Sequence, residues 1–285
     1  MSTLGRGVLG LEPDLYDSAV PPRPLVGAVA ELYRYRALVR VLVQRDLTVR
    51  YKRSFLGVTW TVLNPLLTAG VMWLVFSHLF RSRIPGNVPF LVYVLAGLLA
   101  VTYFQQGVAN TAASLASSAS MLTKVYVPPV VFAFSAACSG AVNFLYGLVP
   151  LLLFQLALGV GVAWTVVAVP LPLLFLLLTI AGTGFLLATF VIRFDDVLNL
   201  VGVLLMLIGF LTPTFYPVTI IPGAFRHLFF LNPLYSYVGV FRYLEYGGPP
   251  PSWICIPIIV GSGLAFFALG LVVFVRRWPS VAAYL

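Results

Sequence analysis

The side chains that could do chemistry in this chain are few, and their spacing forms no catalytic or metal-binding pattern. Neither of its two lysines, Lys52 and Lys124, ends the G-x-x-x-x-G-K-[ST] loop that holds nucleotide phosphates. The two histidines, His78 and His227, lie far apart with no carboxylate or cysteine cluster beside either, so they predict no metal site. We therefore expect a protein that is not an enzyme and that binds no cofactor of its own.

The composition indicates which elements must carry these residues. Of 285 residues, 61% are hydrophobic and only 9% are charged, whereas soluble chains are roughly 45–50% apolar and about 25% charged. The apolar runs are long and unbroken, which excludes a transmembrane β-barrel, whose strands alternate apolar and polar residues. Cys138 and Cys255 lie in different apolar runs and are either small buried apolar residues or one disulfide. The composition predicts an all-α membrane protein.

Six apolar runs are predicted to span the membrane, for which a helix needs about 20 apolar residues. They cover residues 57–80, 88–108, 130–158, 165–192, 197–211 and 253–275. Six spans place both termini on one side. Most of the seventeen Lys and Arg residues fall on that side, and the other side carries only Arg81, Arg83, Arg226 and Arg242. By the positive-inside rule, both termini are predicted to be cytoplasmic.

Acidic residues are absent from the middle of these apolar runs. Ion-coupled transporters use intramembrane ionisable residues as relays, so their absence argues against secondary active transport. Glu245 is the only acid predicted on the outer face, which argues against a membrane enzyme with acid–base carboxylates there. The basic residues before Leu56 resemble no nucleic-acid-binding fold. Energy for uphill transport would therefore come from a partner.

The segment Ala28–Arg53 has the pattern of an amphipathic helix. Apolar residues recur at three- and four-residue spacing, namely Leu32, Tyr35, Val39, Leu42, Val43 and Leu47. Arg34, Arg45 and Lys52 lie on the opposite face, which is typical of a helix in the membrane interface. We expect this helix to bend or end near Asp46. The alternative is that the segment only supplies the positive charge that flanks the first span on the cytoplasmic side, and has no further function.

A polar segment, Ala109–Val127, separates the second and third runs. It is rich in serine and too polar to span a membrane. Small residues allow another protein surface to approach closely, so the segment is predicted to be a short cytoplasmic helix on which a partner docks. The alternative is an ordinary loop.

The segment Thr212–Pro251 contains seven prolines and ten aromatic residues. Pro217, Pro222 and Pro233 prevent it from forming one span, and irregular backbone at membrane depth must pack within protein. It is predicted to form an outer gate of two short re-entrant helices, joined near residues 222–226. The alternative is an interfacial aromatic belt that anchors the fold.

Aromatic residues within the spans, including Trp60, Tyr103 and Phe104, could line a pathway. Aromatic rings stack on the apolar faces of sugars, and Tyr hydroxyl and Trp N–H groups can reach sugar hydroxyls. A pathway for a neutral polymer would need such a lining rather than charges. The alternative for each residue is a lipid-facing or helix-packing role.

Three stretches of sequence carry a family resemblance. They are Arg45-Asp-Leu-Thr-Val-Arg-Tyr-Lys-Arg-Ser-Phe-Leu-Gly-Val-Thr-Trp60 with Leu63-Asn64-Pro65-Leu66; Met121-Leu-Thr-Lys124-Val-Tyr126-Val-Pro128; and Asp195-Asp196 with Thr212-Pro213-Thr-Phe-Tyr216, Asn232-Pro233-Leu234 and Phe241-Arg242. Together they resemble type-2 ABC exporter permeases for lipid-linked polysaccharides, such as O-antigen, teichoic acid, capsule and actinobacterial galactan. The chain departs from the family at Pro129, where a basic residue is common.

The resemblance implies a half-transporter: a homodimer of this chain with two copies of a separate cytoplasmic ABC ATPase, which binds the ATP and Mg²⁺. The implied cargo is polysaccharide on undecaprenyl diphosphate, moved outward across the bacterial plasma membrane. The expected ATPase-docking residues are Ser117, Ser118, Ser120, Met121 and Lys124. The expected interface-helix residues are Arg45, Asp46, Arg50, Tyr51, Lys52 and Arg53. The expected pathway and gate residues are Trp60, Tyr103, Phe104, Phe215, Tyr216 and Tyr235.

These expectations divide the chain into a cytoplasmic tail (1–27), an interface helix (28–56), a six-span domain (57–278) and a second tail (279–285). The six-span domain includes a coupling helix at 109–127 and the gate region at 212–251. Three rival functions remain open: a type-2 ABC permease for a drug or small lipid, a membrane glycosyltransferase, and an ATP-independent pore. Association with an ATPase subunit would distinguish the first from the other two.

Overall fold

The computed structural model describes residues 25–52, 57–80, 88–122, 127–194, 196–223 and 228–281. Within these ranges the chain is helical and contains no strand, which confirms the all-α prediction. The helices are α1 (Leu25–Arg34), α2 (Arg36–Tyr51), α3 (Trp60–Phe80), α4 (Phe90–Ser117), α5 (Ala119–Leu122), α6 (Pro129–Ala157), α7 (Pro170–Val191), α8 (Asp196–Leu211), α9 (Pro233–Tyr246) and α10 (Cys255–Val281). Short 3₁₀ turns lie at Gly57–Thr59, Trp164–Ala168 and Val218–Ile220.

Among the described residues, four helical stretches are long and apolar enough to cross a membrane. They are Phe90–Ser117, Pro129–Ala157, Trp164–Val191 and Cys255–Trp278. In the other two predicted spans the described apolar stretch is shorter, namely Leu63–Phe76 within α3 and Asp196–Leu211, which is α8. At 1.5 Å per residue, a helix the length of α8 extends about 24 Å, less than the roughly 30 Å of a bilayer core. Length and apolar composition together therefore support four of the six predicted spans, and the other two stay a prediction.

Helix α4 lies at the centre of the bundle. It is buried along most of its length and packs against α3, α6, α7, α8 and α9. The bundle has two ends that the site descriptions below use. We call the end where α4 finishes and α6 begins the α2 end, and the end where α4 begins the α9 end.

The most extensive helix–helix contact joins α7 and α10. Gly182 of α7 lies against the backbone of α10 at Phe266, and Gly270 of α10 lies against the backbone of Gly182. A Cβ atom at either glycine would collide with the facing backbone. Small residues allow this close approach in membrane bundles, so α7 and α10 pack backbone to backbone.

Helix α9 forms within the proline-rich segment because local signals fix both of its ends. Pro233 occupies its first turn, where a missing N–H costs no hydrogen bond. The side chain of Asn232 caps this turn by accepting a backbone N–H at 3.1 Å. Gly247, with a φ of 68°, ends the helix in the left-handed conformation that favours glycine.

Helix α9 packs into the bundle rather than extending away from it. The side chain of Tyr237 is fully buried. Its hydroxyl donates to the carbonyl of Ile259 in α10 at 3.1 Å and lies 3.0 Å from the hydroxyl of Thr179 in α7. This part of the predicted gate region is therefore held by side-chain hydrogen bonds to two apolar helices.

The segment 109–127 differs from its predicted form. Its first nine residues continue α4 as far as Ser117, and Ala119–Leu122 forms a separate helix at the end of the part described before residue 123. The hydroxyls of Thr111, Ser114 and Ser117 donate to backbone carbonyls three or four residues earlier at 2.7–3.0 Å. Because these polar side chains are satisfied within the helix, they do not end it.

Two other helix boundaries also differ from expectation. The helical segment at residues 25–51 is interrupted at Tyr35, and it continues through Asp46. Asp46 does not break α2 because its carboxylate pairs with Arg45 at 2.9 Å instead of competing for backbone groups. Helix α10 continues past Arg276 and Arg277 to Val281, since these charges end the apolar run but not the helix.

Candidate functional site

A groove of about 470 Å³ that carries many polar side chains lies between α3, α4 and α6. It is lined by Arg50, Trp60, Asn64, Pro65, Thr68, Leu98, Leu99, Thr102, Tyr103, Gln106, Gly107, Asn110, Gly140, Asn143 and Phe144. Along α4 the lining runs from Leu98 to Asn110, about 18 Å of helix. Arg50 extends it to the α2 end. The volume falls within the range typical of ligand-binding pockets.

The groove is lined by both polar and apolar side chains, although the helices that form it are largely apolar. Primary amides come from all three helices, and threonine and tyrosine hydroxyls lie among them. Arg50 is the one charged residue among the lining residues that the structure describes. Amides and hydroxyls both donate and accept hydrogen bonds. The groove is therefore suited to a ligand that carries many neutral hydroxyl groups.

Tyr103 forms part of the wall between α4 and α6. Its ring lies against Gly140, where an added Cβ would come within 2.8 Å of the ring. The ring of Phe144 packs at a centroid distance of 5.7 Å on the same wall. Only 5% of Tyr103 is exposed, so glycine at position 140 makes the space that this ring occupies.

The predicted pathway aromatics separate into two sets. Trp60 and Tyr103 both line the groove, and Trp60 is 47% exposed. Phe104, one residue further along α4, does not line the groove and is half-buried against the apolar core. The structure thus brings together two of the three span residues singled out from sequence.

The predicted gate residues lie at the α9 end and are anchored separately. The hydroxyl of Tyr216 donates to the carbonyl of Phe210 at 3.1 Å. The ring of Tyr235 makes an edge contact with Phe230 at 5.3 Å, and Phe215 packs half-buried against the core. Their role as a gate stays a prediction.

The same end contains a buried arginine, which the sequence analysis placed on the outer face and in a stretch that carries the family resemblance. Arg242 of α9 is 7% exposed, and its guanidinium lies 3.5 Å from the ring centroid of Tyr93 in α4. It donates to the carbonyls of Pro213 at 2.9 Å, Tyr93 at 3.0 Å and Thr214 at 3.2 Å. One cation therefore joins α9, α4 and the loop at residues 212–216, which we call the exit loop.

Two further side chains hold the exit loop. The hydroxyl of Tyr93 lies 3.0 Å from the carbonyl of Tyr216 and 3.3 Å from that of Pro213. The amide of Asn232 donates to the hydroxyl of Thr212 at 2.9 Å. The loop is thus tied at several carbonyls to α4 and α9.

Glu245 lies one helical turn after Arg242 and is fully buried. Neither of its carboxyl oxygens has a hydrogen-bond partner among the described residues. Burial raises the pKa of this carboxyl well above its ordinary value, and the nearby Arg242 opposes that rise. The three-residue spacing of Arg242 and Glu245 was the sequence signal available for this pair.

At the α2 end, the predicted interface helix and the predicted docking segment meet. The guanidinium of Arg45 lies 3.7 Å from the sulfur of Met121 in α5, and Asp46 lies 3.5 Å from the hydroxyl of Ser139 in α6. Ser117 is exposed, whereas Ser118 is buried at the junction of α4 and α5. Of the two predicted docking serines whose side chains the structure describes, Ser117 is therefore the accessible one.

Other predicted residues at this end are only partly described. Arg50 and Lys52 are exposed. The predictions for Arg53 and Lys124, and for the side chains of Tyr51 and Ser120, lie outside the described residues.

Comparison with known proteins places this bundle in a family. The ABC-2 type transporter family matches residues 37–246, which include α2 to α9. The O-antigen export system permease protein RfbA of Myxococcus xanthus is 35% identical over 224 residues, which cover 78% of this chain and 85% of that protein. Two proteins of the same name from Klebsiella pneumoniae are 28% and 27% identical over 239 residues, 83% of this chain and 90% of each. The chain therefore belongs to the ABC-2 type transporter family.

Proposed function

We propose that this chain is the membrane-spanning permease of an ATP-driven exporter for polysaccharide linked to undecaprenyl diphosphate. The similar proteins named O-antigen export permeases support this assignment. The single structural observation that carries it is the groove between α3, α4 and α6. Its lining offers amides, hydroxyls and aromatic rings to a neutral, hydroxyl-rich chain, and these groups match sugar rings in both hydrogen bonding and stacking.

The proposed assembly is a homodimer of this chain with two copies of a separate ATPase subunit, which binds ATP and Mg²⁺. Six spans would place both termini in the cytoplasm of the bacterium, with α2 in the membrane interface and the ATPase beneath the α2 end. Arg50, which lines the groove at that end, would then face the anionic diphosphate as the cargo enters. Aromatic residues of the 212–251 segment would lie at the exit.

A permease for a drug or small lipid is the nearest alternative, because about 470 Å³ could also hold a small molecule. An apolar cargo would favour an apolar lining. The exposed amides of Asn64, Gln106 and Asn110 would instead lose hydration against such a cargo without regaining hydrogen bonds. The lining therefore favours the polysaccharide.

The test is export in a strain that lacks its own copy of this permease and expresses variants together with the ATPase. Asn110→Leu should lower surface polysaccharide about tenfold and raise the lipid-linked polymer inside the cell, because the groove loses an exposed amide. Asn199→Leu is the matched control, since Asn199 is exposed on α8 outside the groove. Normal surface polysaccharide in cells without any copy of the permease would contradict the proposal.

A further inference from the structure

Arg242 and Glu245 are both buried and close in sequence, yet no hydrogen bond joins them. Export through the groove does not explain this arrangement. A buried cation usually pairs with a nearby carboxylate. Here the guanidinium donates to three backbone carbonyls, two of them in the exit loop. Glu245, one turn along the same helix, is fully buried and without a hydrogen-bond partner among the described residues.

An unpartnered buried carboxyl is costly, and such groups call for a physical reason. Residues three apart on a helix have Cβ atoms roughly 5–6 Å apart. Arg242 could therefore reach Glu245 by a change of side-chain rotamer, without movement of α9. It would then have to leave the carbonyls of Pro213 and Thr214.

We propose that Arg242 is a latch for the exit loop, with Glu245 as its alternative acceptor. In the held state, Arg242 and Tyr93 bind the loop carbonyls, as the structure shows. In the released state, Arg242 pairs with Glu245, and the loop is free to move from α4. In the released state, the carboxyl of Glu245 thus replaces the carbonyls of Pro213 and Thr214 as the acceptor for Arg242. This replacement lowers the free-energy difference between the held and released states.

The latch is also connected to the groove. Phe241, the residue before Arg242, packs its ring on Phe144 at a centroid distance of 5.0 Å. Phe144 lines the groove and contacts Tyr103 there. A cargo that displaces the ring of Phe144 would shift the start of the turn that carries Arg242. The inference rests on the proposed function in this one respect, because it treats the loop as part of the exit.

The experiment uses the full chain assembled with its ATPase in lipid nanodiscs. A Thr214→Cys reporter is placed in a background in which Cys138 and Cys255 are alanine. Thr214 is 1% exposed, and Arg242 binds its backbone rather than its side chain. Labelling by a water-soluble maleimide therefore reports release of the loop, and it does so whether or not polysaccharide is the cargo.

Two variants move the equilibrium in opposite directions. Tyr93→Phe keeps the ring under Arg242 but removes the hydroxyl, so labelling without ATP should rise about three- to tenfold. Glu245→Leu removes the alternative acceptor, so labelling during ATP turnover should fall about three- to tenfold. Glu245→Leu should also raise the unfolding temperature, because it removes an unpartnered buried carboxyl. Tyr243→Phe, another tyrosine on α9, is the matched control and should change neither rate.

The outcomes separate the latch from a merely structural role. If Glu245 only supports the fold, Glu245→Leu will lower the unfolding temperature and leave turnover labelling unchanged, and the proposal is overturned. Equal labelling of Tyr93→Phe and the parent would overturn it as well. If polysaccharide is not the cargo, the permease-deficient strain will keep its normal surface polysaccharide. The labelling differences between the variants will remain, so this failure can be told apart from failure of the latch.

Discussion

The guanidinium of Arg45 lies 3.7 Å from the sulfur of Met121, although the two residues are 76 positions apart in the chain. Arg45 belongs to α2 and Met121 to α5, the two elements that the resemblance assigned separately to the membrane interface and to ATPase docking. Their contact makes them one surface at the α2 end. A partner that pushes on α5 would therefore also act on α2.

This contact predicts coupled effects of substitution. Arg45→Gln and Met121→Ala should each weaken co-purification of the ATPase, and the double variant should be no worse than the more severe single variant. The reason is that either change alone already breaks the contact. Arg40→Gln, an exposed arginine on the same helix, should assemble normally. Strictly additive losses in the double variant would show that the two residues act independently.

Ser117 and Ser118 should respond differently to a charge although they are neighbours. Ser117 is exposed, so Ser117→Glu should leave the fold intact and weaken only ATPase assembly, by roughly 1–3 kcal/mol if the interface is packed. Ser118 is buried, so Ser118→Glu should lower the unfolding temperature of the isolated permease. Thermal unfolding of the permease alone, together with co-purification of the complex, separates the two effects. Normal assembly of Ser117→Glu would remove Ser117 from the docking surface.

The groove predicts a contrast between two aromatic residues. Trp60 lines it and Phe104 does not. Trp60→Leu should therefore lower polysaccharide export about tenfold through lost stacking, while Phe104→Leu should change export less than twofold. Surface polysaccharide at matched permease levels is the measurement. Equal losses in both variants would show that these rings serve packing rather than the pathway.

The contact between α7 and α10 predicts a large stability effect from one methyl group. At Gly182 an added Cβ meets the backbone of α10, so Gly182→Ala should destabilise the fold by about 1–3 kcal/mol or more. At Gly202 of α8 nothing lies within 4 Å of an added Cβ, so Gly202→Ala should be neutral or stabilising by up to about 1 kcal/mol. Thermal unfolding in detergent compares them. A stable Gly182→Ala variant would mean that the helices can separate without cost.

The sequence was sufficient for the local features of the fold. The apolar runs predicted where most helices lie. In the structure α6, α7 and α9 each begin at a proline, which fits the first turn of a helix, but the sequence analysis did not use this signal. The end of α4 at Ser117 was missed, since serine and threonine hydroxyls can bond within a helix as well as break it. The interruption at Tyr35 has no sequence signal that we can name.

The site was predictable only in part. Trp60 and Tyr103 could be chosen by residue type, but single amides such as Asn64 and Asn143 do not stand out in apolar runs until α3 and α6 face each other. Arg242 was assigned to the outer side by charge counting. Its burial depends on Tyr93, 149 positions earlier in the chain, and no local pattern records a contact at that separation.

The backbone contact of α7 with α10 has a consequence for how the chain is made. Helix α10 leaves the ribosome last of the described helices, after α8 and α9 have already been synthesised. Until it arrives, Gly182 of α7 lacks the backbone that it packs against, and Tyr237 lacks the carbonyl of Ile259 that its hydroxyl uses. Both contacts therefore form only once α10 has been synthesised, so a chain that stalls before α10 leaves them unmade.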